Sequence, residues 1–390
     1  MIKRITTWLE IHASTPAYSG WVLVGVAVCF FGAGINTMAG WLYVLSGVGF
    51  ALLSVAAILP PRSLQGLIVK RHPIEPVIAG DDLTVQIEII NPKKQDVILL
   101  QITDLLSFVL GKPQKQAIEI IPAQKSYHWI YYQPTVRRGV YRWQTVELAS
   151  GAPLGLFWCR RQHHCTATAV VYPVVLPLTD CPLIDEIGRE NSLRADLSCS
   201  RPLQTANEAL VRSLRPYRLG DPIRLIHWRT SARYGQLRLR ELEMMSGGQD
   251  TIIALDSAAS WQEENFEQAV ITAASLYFYA QRQQIQVQLW TASTGLVRGQ
   301  RAVLETLAKT NANEDITNEC PQRYPLIWLT ENPLTLAFLP QGSRWVLWPS
   351  TKASSEKVIV NQNQRGVVLQ PHQPLQSQLQ QTLTTQFVPM

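Results

Sequence analysis

The sequence lacks charge over much of its N-terminal part. No Asp, Glu, Lys or Arg occurs from Ile11 through Pro61. Over all 390 residues the charged share is 16%, below the usual quarter or so of a soluble protein. So long a stretch without charge excludes an ordinary soluble surface there. The length itself predicts two or three domains rather than one.

Cysteine and catalytic motifs are also scarce. Six scattered cysteines exclude a disulfide framework and favour a reduced, cytosolic environment for the soluble part. The chain contains no P-loop, no G-x-G-x-x-G and no H-E-x-x-H motif. His227 could be a general base, but no nucleophile or orienting carboxylate is evident beside it, so we predict a structural role for it.

Two apolar runs fill the charge-free stretch, Ala17–Ile35 and Met38–Leu59. Each comes close to or exceeds the roughly 20 residues that cross the hydrocarbon core as a helix. Asn36-Thr37 leaves room for a tight turn, and Pro60-Pro61 is expected to end the second helix. These runs predict a transmembrane helical hairpin in the lipid bilayer.

The residues on either side of the hairpin predict its orientation. Lys3 and Arg4 precede it, and Arg62, Lys70 and Arg71 follow it, whereas the turn is uncharged. By the positive-inside rule, both termini and the soluble domains lie on the cytoplasmic side of the plasma (inner) membrane. The net charge of +6 also permits binding to an anionic membrane surface or to nucleic acid.

The middle of the chain alternates between apolar and polar residues, which is typical of half-buried strands. About seven short strands in this region predict an all-β sandwich of immunoglobulin-like architecture. The clearest alternating runs are Leu83–Ile89, Ile118–Ile121, Tyr127–Tyr132, Val140–Leu148 and Thr166–Val171.

A short C-x3-H-H-C run lies near the end of this region and contains Cys159, His163, His164 and Cys165. Thiolates and imidazoles are zinc ligands, but the spacing is not that of a standard zinc knuckle. We expect the two cysteines to flank a plain hairpin turn.

After Gly247-Gly248, short apolar strands alternate with helical segments, which predicts an α/β domain with a parallel sheet and helices on both faces. The predicted strands and helices are Thr251–Leu255, Phe266–Gln281, Ile285–Leu289, Ala302–Ala308, Leu326–Leu329 and Trp345–Leu347. The predicted organisation is a cytoplasmic segment at 1–16, the hairpin at 17–60, the β-sandwich at 63–175, a connecting region at 176–247 and the α/β domain at 248–390.

The most specific pattern is Val211–Glu243, here named the signature segment, in which eight arginines alternate with aromatic and aliphatic residues. It resembles the pattern of the DUF58 family, R-x-Y-x-x-G-D-x-x-R-x-I-D-W-x-x-[ST]-A-R-x-G-x-L, with His227 in place of the usual Asp. The matching residues are Arg215, Tyr217, Gly220, Asp221, Arg224, Ile226, Trp228, Ser231, Ala232, Arg233, Gly235 and Leu237. The runs Arg137–Tyr141 and Ala152–Phe157 resemble two further stretches of that family.

The resemblance implies that the α/β domain is von Willebrand factor A-like. Such domains bind Mg²⁺ through a D-x-S-x-S loop, because oxygen ligands suit this cation. Here Asp256 and Ser260 remain, but Ala258 replaces the middle Ser, and Asp315 is the only later Asp and does not follow a strand. We therefore expect a degenerate site and no cofactor, with Mg²⁺ as the alternative.

Within the signature segment, Asp221 is expected to cap a helix over Ile223–Tyr234 that ends at Gly235. Arg224, Trp228 and Ser231 would then share one helical face. Three roles remain open for the segment: a basic face that joins the two soluble domains, a docking surface for an acidic protein partner, or a nucleic-acid contact, which we consider unlikely.

The resemblance implies a membrane-anchored, non-enzymatic adaptor that works with a MoxR-type AAA+ ATPase or another von Willebrand factor A protein in assembling or maturing protein complexes. Two other classes stay open on the sequence alone. One is a cell-envelope hydrolase or transferase, and the other is a nucleic-acid-binding membrane protein.

Overall fold

The computed structural model describes residues 14–187, 211–216, 226–242, 251–321, 325–349, 365–371 and 373–383, with only the backbone at 211–216 and 239–242. The chain divides into two compact units, Met1–Pro173 and Val174–Met390.

The first unit contains two antiparallel helices, α1 (Tyr18–Thr37) and α2 (Gly40–Leu64). Both are long and apolar enough to cross a membrane. The turn between them lies at Met38, whose φ is 53°, and not at Asn36-Thr37 as predicted. The two helices pack closely where Ser46 Oγ donates a hydrogen bond of 2.9 Å to the carbonyl of Ala27.

The prediction that Pro60-Pro61 ends the second helix is wrong, because α2 continues to Leu64. Two features stabilise this last turn. Leu64 is fully buried in the core of the β-sandwich. Lys93 Nζ donates hydrogen bonds of 2.6 and 2.8 Å to the carbonyls of Arg62 and Ser63, which the helix leaves without an internal partner. Burial lowers the pKa of Lys93.

The β-rich part of this unit forms two sheets around one core, as expected for a sandwich. All their strand pairs are antiparallel except β3 with β9, which is parallel. One sheet has the strand order β2-β4-β7; the other has the order β1-β9-β8-β5-β6, with β3 beside β9. The strands are β1 (Thr15–Pro16), β2 (Ile68–Arg71), β3 (Val77–Ile78), β4 (Asp82–Ile90), β5 (Val97–Leu105), β6 (Gln114–Ile121), β7 (Ser126–Pro134), β8 (Gly139–Ser150) and β9 (Phe157–Tyr172).

The C-x3-H-H-C run does not form a hairpin turn. Cys159, His163, His164 and Cys165 all lie within the single strand β9. His163 and His164 are opposite consecutive residues of β8, so their side chains point to opposite faces of the sheet. The sixteen-residue strand continues through the run because β8 pairs with it almost throughout. Burial lowers the pKa of His163.

A fully buried ion pair joins the two sheets of the sandwich. Arg71 Nη2 lies 2.7 Å from Asp104 Oδ1, with the two side chains 1% and 0% exposed. Asp104 also accepts hydrogen bonds from Tyr131 Oη at 2.7 Å and Trp143 Nε1 at 3.1 Å. The second guanidinium nitrogen of Arg71 donates to the carbonyl of Cys165. This arrangement meets the requirement that a buried charge be both paired and hydrogen-bonded.

The second unit begins with residues 174–187, whose apolar side chains pack into its main core. The signature segment follows them along the chain. Strands β10 (Val211–Pro216) and β11 (Arg238–Leu242) pair antiparallel, and the short helix α3 (Trp228–Tyr234) precedes β11. The helix ends at Gly235, whose φ of 65° requires the left-handed conformation that glycine adopts at least cost.

The rest of this unit is a six-stranded mixed sheet with the order β14-β13-β12-β15-β16-β17. The strands are β12 (Thr251–Leu255), β13 (Val287–Thr291), β14 (Gly295–Val297), β15 (Leu326–Thr330), β16 (Arg344–Leu347) and β17 (Arg365–Val368). Neighbouring strands are parallel except for β14, which returns antiparallel from β13. The purely parallel sheet predicted is therefore wrong at this edge, because so short a connection permits only a hairpin.

Alternate residues of the sheet form separate cores on its two faces. Helices α4 (Glu263–Arg282) and α5 (Gln300–Lys309) pack on one face. In the described residues, a 3₁₀ helix over Pro333–Phe338 lies on the other, and α6 (Leu375–Leu379) packs with the first. The strand order places the parallel strands β12 and β15 at the centre, so the residues that follow them share the carboxyl edge of the sheet.

Candidate functional site

The carboxyl edge of the α/β sheet is the first candidate site. Asp256 directly follows β12 and is buried. Thr330, at the end of the neighbouring strand β15, donates a hydrogen bond of 2.9 Å to Asp256 Oδ2. Burial raises the pKa of Asp256, although the Thr330 hydrogen bond opposes the shift. The loop is rigid as well, since Ser257 Oγ accepts the N–H of Ala292.

The oxygen donors at this edge do not match a Mg²⁺ site. Ser260 is exposed on the loop, and Asp315 lies on a separate exposed stretch. Glu331 is buried, but its Oε2 accepts the N–H of Gln262 at 2.8 Å and so binds the start of α4. Among the described residues no three His, Cys, Asp or Glu side chains are grouped as metal ligands.

Cys320 is the only thiol near this carboxylate among the described residues. Burial raises the pKa of Cys320 to about 12, and the charge of Asp256 contributes to the shift. The thiolate is the nucleophilic form of cysteine, so a thiol held protonated is poorly suited to attack a substrate. In the part of the edge that the structure describes, there is therefore neither a group of metal ligands nor an activated nucleophile.

The signature helix is the second candidate site, and its first residue differs from the prediction. His227, not Asp221, caps the described helix: its Nδ1 accepts the N–H of Thr230 at 3.1 Å. The predicted start at Ile223 is wrong, since Ile226 is buried in a bridge before the helix. The DUF58 pattern usually has Asp at this position, and Asp is a strong helix cap. His227 performs the same capping function through its ring nitrogen.

A backbone clasp fixes α3 to β11. The N–H of His227 bonds the carbonyl of Arg238 at 2.8 Å. In return, the N–H of Arg238 bonds Ser231 Oγ at 2.9 Å, and Ser231 is buried. The Arg238 guanidinium lies 4.8 Å above the ring of Tyr234. Ser231 of the family pattern and Arg238, which directly follows the pattern, thus fix the helix to the strand.

The outer face of the clasp is aromatic and basic. Trp228 is 62% exposed and Tyr234 is 60% exposed. Arg229 and Arg233 are exposed beside them. Trp228 therefore does not share a buried face with Ser231. The large loss of stability that accompanies removal of a buried tryptophan ring is not expected for this exposed residue.

Several residues of the predicted signature site lie outside the described residues, namely Tyr217, Gly220, Asp221 and Arg224. Arg215 lies on β10, opposite Leu239 of β11. The structure thus brings together Trp228, Ser231 and Arg233 with His227. The sequence predicted a structural role for His227 but not its function as a helix cap, although the Asp of the family pattern indicates a cap there.

Comparisons with known proteins agree with the signature. The family model DUF58, a protein of unknown function, matches residues 213–308. Over 146 residues the chain is 27% identical to the uncharacterized protein YeaD of Bacillus subtilis, a match that covers 37% of this chain and 34% of YeaD. The chain thus matches about a third of that relative's length.

Solved structures give only distant likenesses. The CARDB domain of the PF1109 protein from Pyrococcus furiosus is 9% identical, with 27% of this chain and 93% of that one covered and a TM-score of 0.18. A GH20 exo-β-N-acetylglucosaminidase from Vibrio harveyi is 8% identical, with 69% and 31% covered and a TM-score of 0.18. Neither supports an inference at this TM-score. The family match and the signature segment agree in placing the similarity to DUF58 within residues 213–308.

Proposed function

We propose that this chain is a membrane-anchored, non-enzymatic adaptor that docks an acidic protein partner through the outer face of α3. The exposure of Trp228, Arg229, Arg233 and Tyr234 on one short helix is the observation that carries the docking role. Trp, Tyr and Arg are the residues most enriched at the energetic centres of protein interfaces. The positive charge of the face favours a partner with exposed carboxylates.

Two features of the hairpin support the membrane anchor. Large apolar side chains are exposed along both helices, among them Trp21, Val28, Trp41, Val44 and Val48. An apolar surface of this extent is costly in water and stable in hydrocarbon. The basic residues that flank the hairpin support an orientation with both soluble units on the cytoplasmic side.

The fold suits a binding role. Two mainly antiparallel sheets around one core support an immunoglobulin-like sandwich, and a mixed, mostly parallel sheet with helices packed on it supports a von Willebrand factor A-like domain. At the carboxyl edge, Thr330 donates a hydrogen bond to Asp256, and burial raises the pKa of the nearby Cys320 thiol. By family resemblance the partner is a MoxR-type AAA+ ATPase or another von Willebrand factor A protein.

Affinity purification of the full chain in mild detergent, with and without ATP, tests this function. We expect the wild type to recover the partner and the double substitution Arg229→Glu/Arg233→Glu to lose it. Arg301→Glu/Lys309→Glu is the matched control, because it makes the same charge change at exposed positions of α5 in the same unit.

The result has three informative outcomes. Loss of the partner in the α3 variant alone, at unchanged melting temperature, supports docking through the signature. Equal recovery by both variants would contradict it. A melting temperature that falls only in the α3 variant would instead favour a segment that joins the two soluble domains.

A further inference from the structure

Four connections of the β-sandwich lie at the end where α2 enters it. They are residues 62–67, which comprise the last residues of α2 and its connection to β2, 91–96 between β4 and β5, 122–125 between β6 and β7, and 151–156 between β8 and β9. Strand pairing places them together: Ile68 is opposite Ile90, Val97 is opposite Ile121, and Ser150 is opposite both Leu100 and Cys159. We name this surface the hairpin-side end.

The hairpin-side end contacts both helices directly. The N–H of Ala17, just before α1, donates to the carbonyl of Leu156 at 2.8 Å, and Ser19 Oγ donates to the carbonyl of Gly155 at 3.2 Å. On the other helix, Lys93 holds the last carbonyls of α2. The loops therefore lie level with the two ends of the hairpin that face the sandwich.

Apolar side chains are exposed at this end. Leu154 projects from the loop 151–156, and Leu99, whose carbonyl accepts the hydroxyl of Ser150, is exposed beside it. Trp158 is 41% exposed and lies opposite Thr15, three residues before α1 begins. Tryptophan at such a depth is typical of the interface between hydrocarbon and headgroups.

The charges at the hairpin-side end are mostly positive. Arg62, Lys93, Lys94 and Lys125 lie in its four connections, against the single acidic residue Asp96. The carboxylate of Asp96 accepts the N–H of Ala123 and so is used within the loops. Basic residues next to a membrane helix attract anionic headgroups by about 1 kcal/mol each, or roughly fivefold in affinity.

We infer that the hairpin-side end of the β-sandwich is itself a lipid-binding surface. Its apolar residues Leu99, Leu154 and Trp158 lie in the interfacial layer, and its lysines bind anionic phospholipid headgroups. The inference rests on the proposed membrane anchor. It adds that the hairpin-side end of the sandwich contacts the bilayer directly, so that the last turn of α2 is not the sandwich's only attachment to the membrane.

The depth of the loop 151–156 tests the first part. Leu154 is replaced by a genetically encoded fluorescent amino acid in the full chain, which is reconstituted into phosphatidylcholine and phosphatidylglycerol vesicles. Val136, exposed in the connection between β7 and β8 at the opposite end of the sandwich, receives the same probe as the control. We expect lipids brominated near the headgroup to quench the probe at 154 strongly and aqueous iodide to quench it weakly, with the reverse at 136.

The same probe at position 154 tests the lysines. Its quenching by brominated phosphatidylglycerol relative to brominated phosphatidylcholine reports the local preference for anionic lipid. Lys94→Gln/Lys125→Gln should lower this preference by about fivefold for each lysine removed. Lys112→Gln/Lys115→Gln, two exposed lysines at the opposite end, should leave it unchanged.

The outcomes separate this inference from the anchor. Vesicle flotation after an alkaline carbonate wash reports whether the chain stays in the membrane. A chain that stays while the probe at 154 is quenched by iodide, as at 136, overturns the lipid-binding surface and leaves the anchor standing. A chain that is washed off overturns both. Equal effects of the two lysine pairs overturn headgroup binding.

Discussion

Substitution of Asp104 by Asn is expected to destabilise the β-sandwich strongly. Asp104 is the only acidic partner, among the described residues, of the buried Arg71 side chain. The substitution keeps the shape and an acceptor for Tyr131 or Trp143, but it leaves the guanidinium without a countercharge. The substitution is therefore expected to destabilise the sandwich mainly through the loss of the electrostatic interaction with Arg71.

The magnitude follows from the burial of both side chains. Breaking a buried, hydrogen-bonded ion pair by removing one partner costs about 3–5 kcal/mol. Arg71→Met should cost a similar amount, because Asp104 would remain charged in the core. The double variant Arg71→Met/Asp104→Asn carries no buried charge, so its loss should be smaller than the sum of the two by up to about 3 kcal/mol.

Urea unfolding of the full chain in mild detergent measures these losses through tryptophan fluorescence. The pair Arg160–Glu147 of the same sandwich is the matched control: its nitrogen–oxygen distance is 3.3 Å, but Arg160 is 40% exposed. Such a pair contributes about 0–1 kcal/mol. Additive effects of Arg71→Met and Asp104→Asn would refute the buried ion pair, as would a loss no larger than that of the control.

Three further predictions concern the second unit, each checked by differential scanning fluorimetry. His227→Asp should preserve or raise the melting temperature, because Asp can also accept the N–H of Thr230. His227→Ala should lower the free energy of unfolding by about 0.5–2 kcal/mol. Equal effects of the two substitutions would contradict the cap. Because burial raises the folded-state pKa of Asp256, the stability tied to its neutral form is present at low pH and lost as pH rises through that pKa. Asp256→Asn should therefore raise the melting temperature more at pH 8 than at pH 4. If millimolar Mg²⁺ raised the melting temperature of the wild type and Asp256→Ala abolished that increase, the site would instead be a functional metal site. Gly366→Ala should destabilise the sheet by at least about 1–3 kcal/mol, because its new methyl group would overlap Trp345; an unchanged melting temperature would contradict that packing.

Periodic segments were predicted well from the sequence. The strand Thr251–Leu255 has the predicted bounds, and both apolar helices are present. The strand β5 was missed because its apolar residues do not alternate, and Leu99 adopts a φ of 51° that interrupts the pleat. The end of α2 was misplaced because local proline chemistry was outweighed by the burial of Leu64 and by Lys93, a tertiary contact.

The candidate site was predicted less completely. Pattern matching identified the signature residues, but not which of them face inward. Helical spacing grouped Trp228 with Ser231, whereas the clasp to Arg238 draws Ser231 inward and leaves Trp228 exposed. Such a distinction depends on a strand that follows the helix, which spacing within the helix does not contain.

Photo-crosslinking from position 228 tests the docking role most directly. Trp228 is replaced by a photoreactive amino acid in the full chain, and native membranes are irradiated with ATP present. We predict an adduct with a separate protein, by family resemblance a MoxR-type AAA+ ATPase, that disappears when Arg229→Glu/Arg233→Glu is added. Adducts confined to the chain's own β-sandwich would contradict docking and show that the signature joins the two soluble domains.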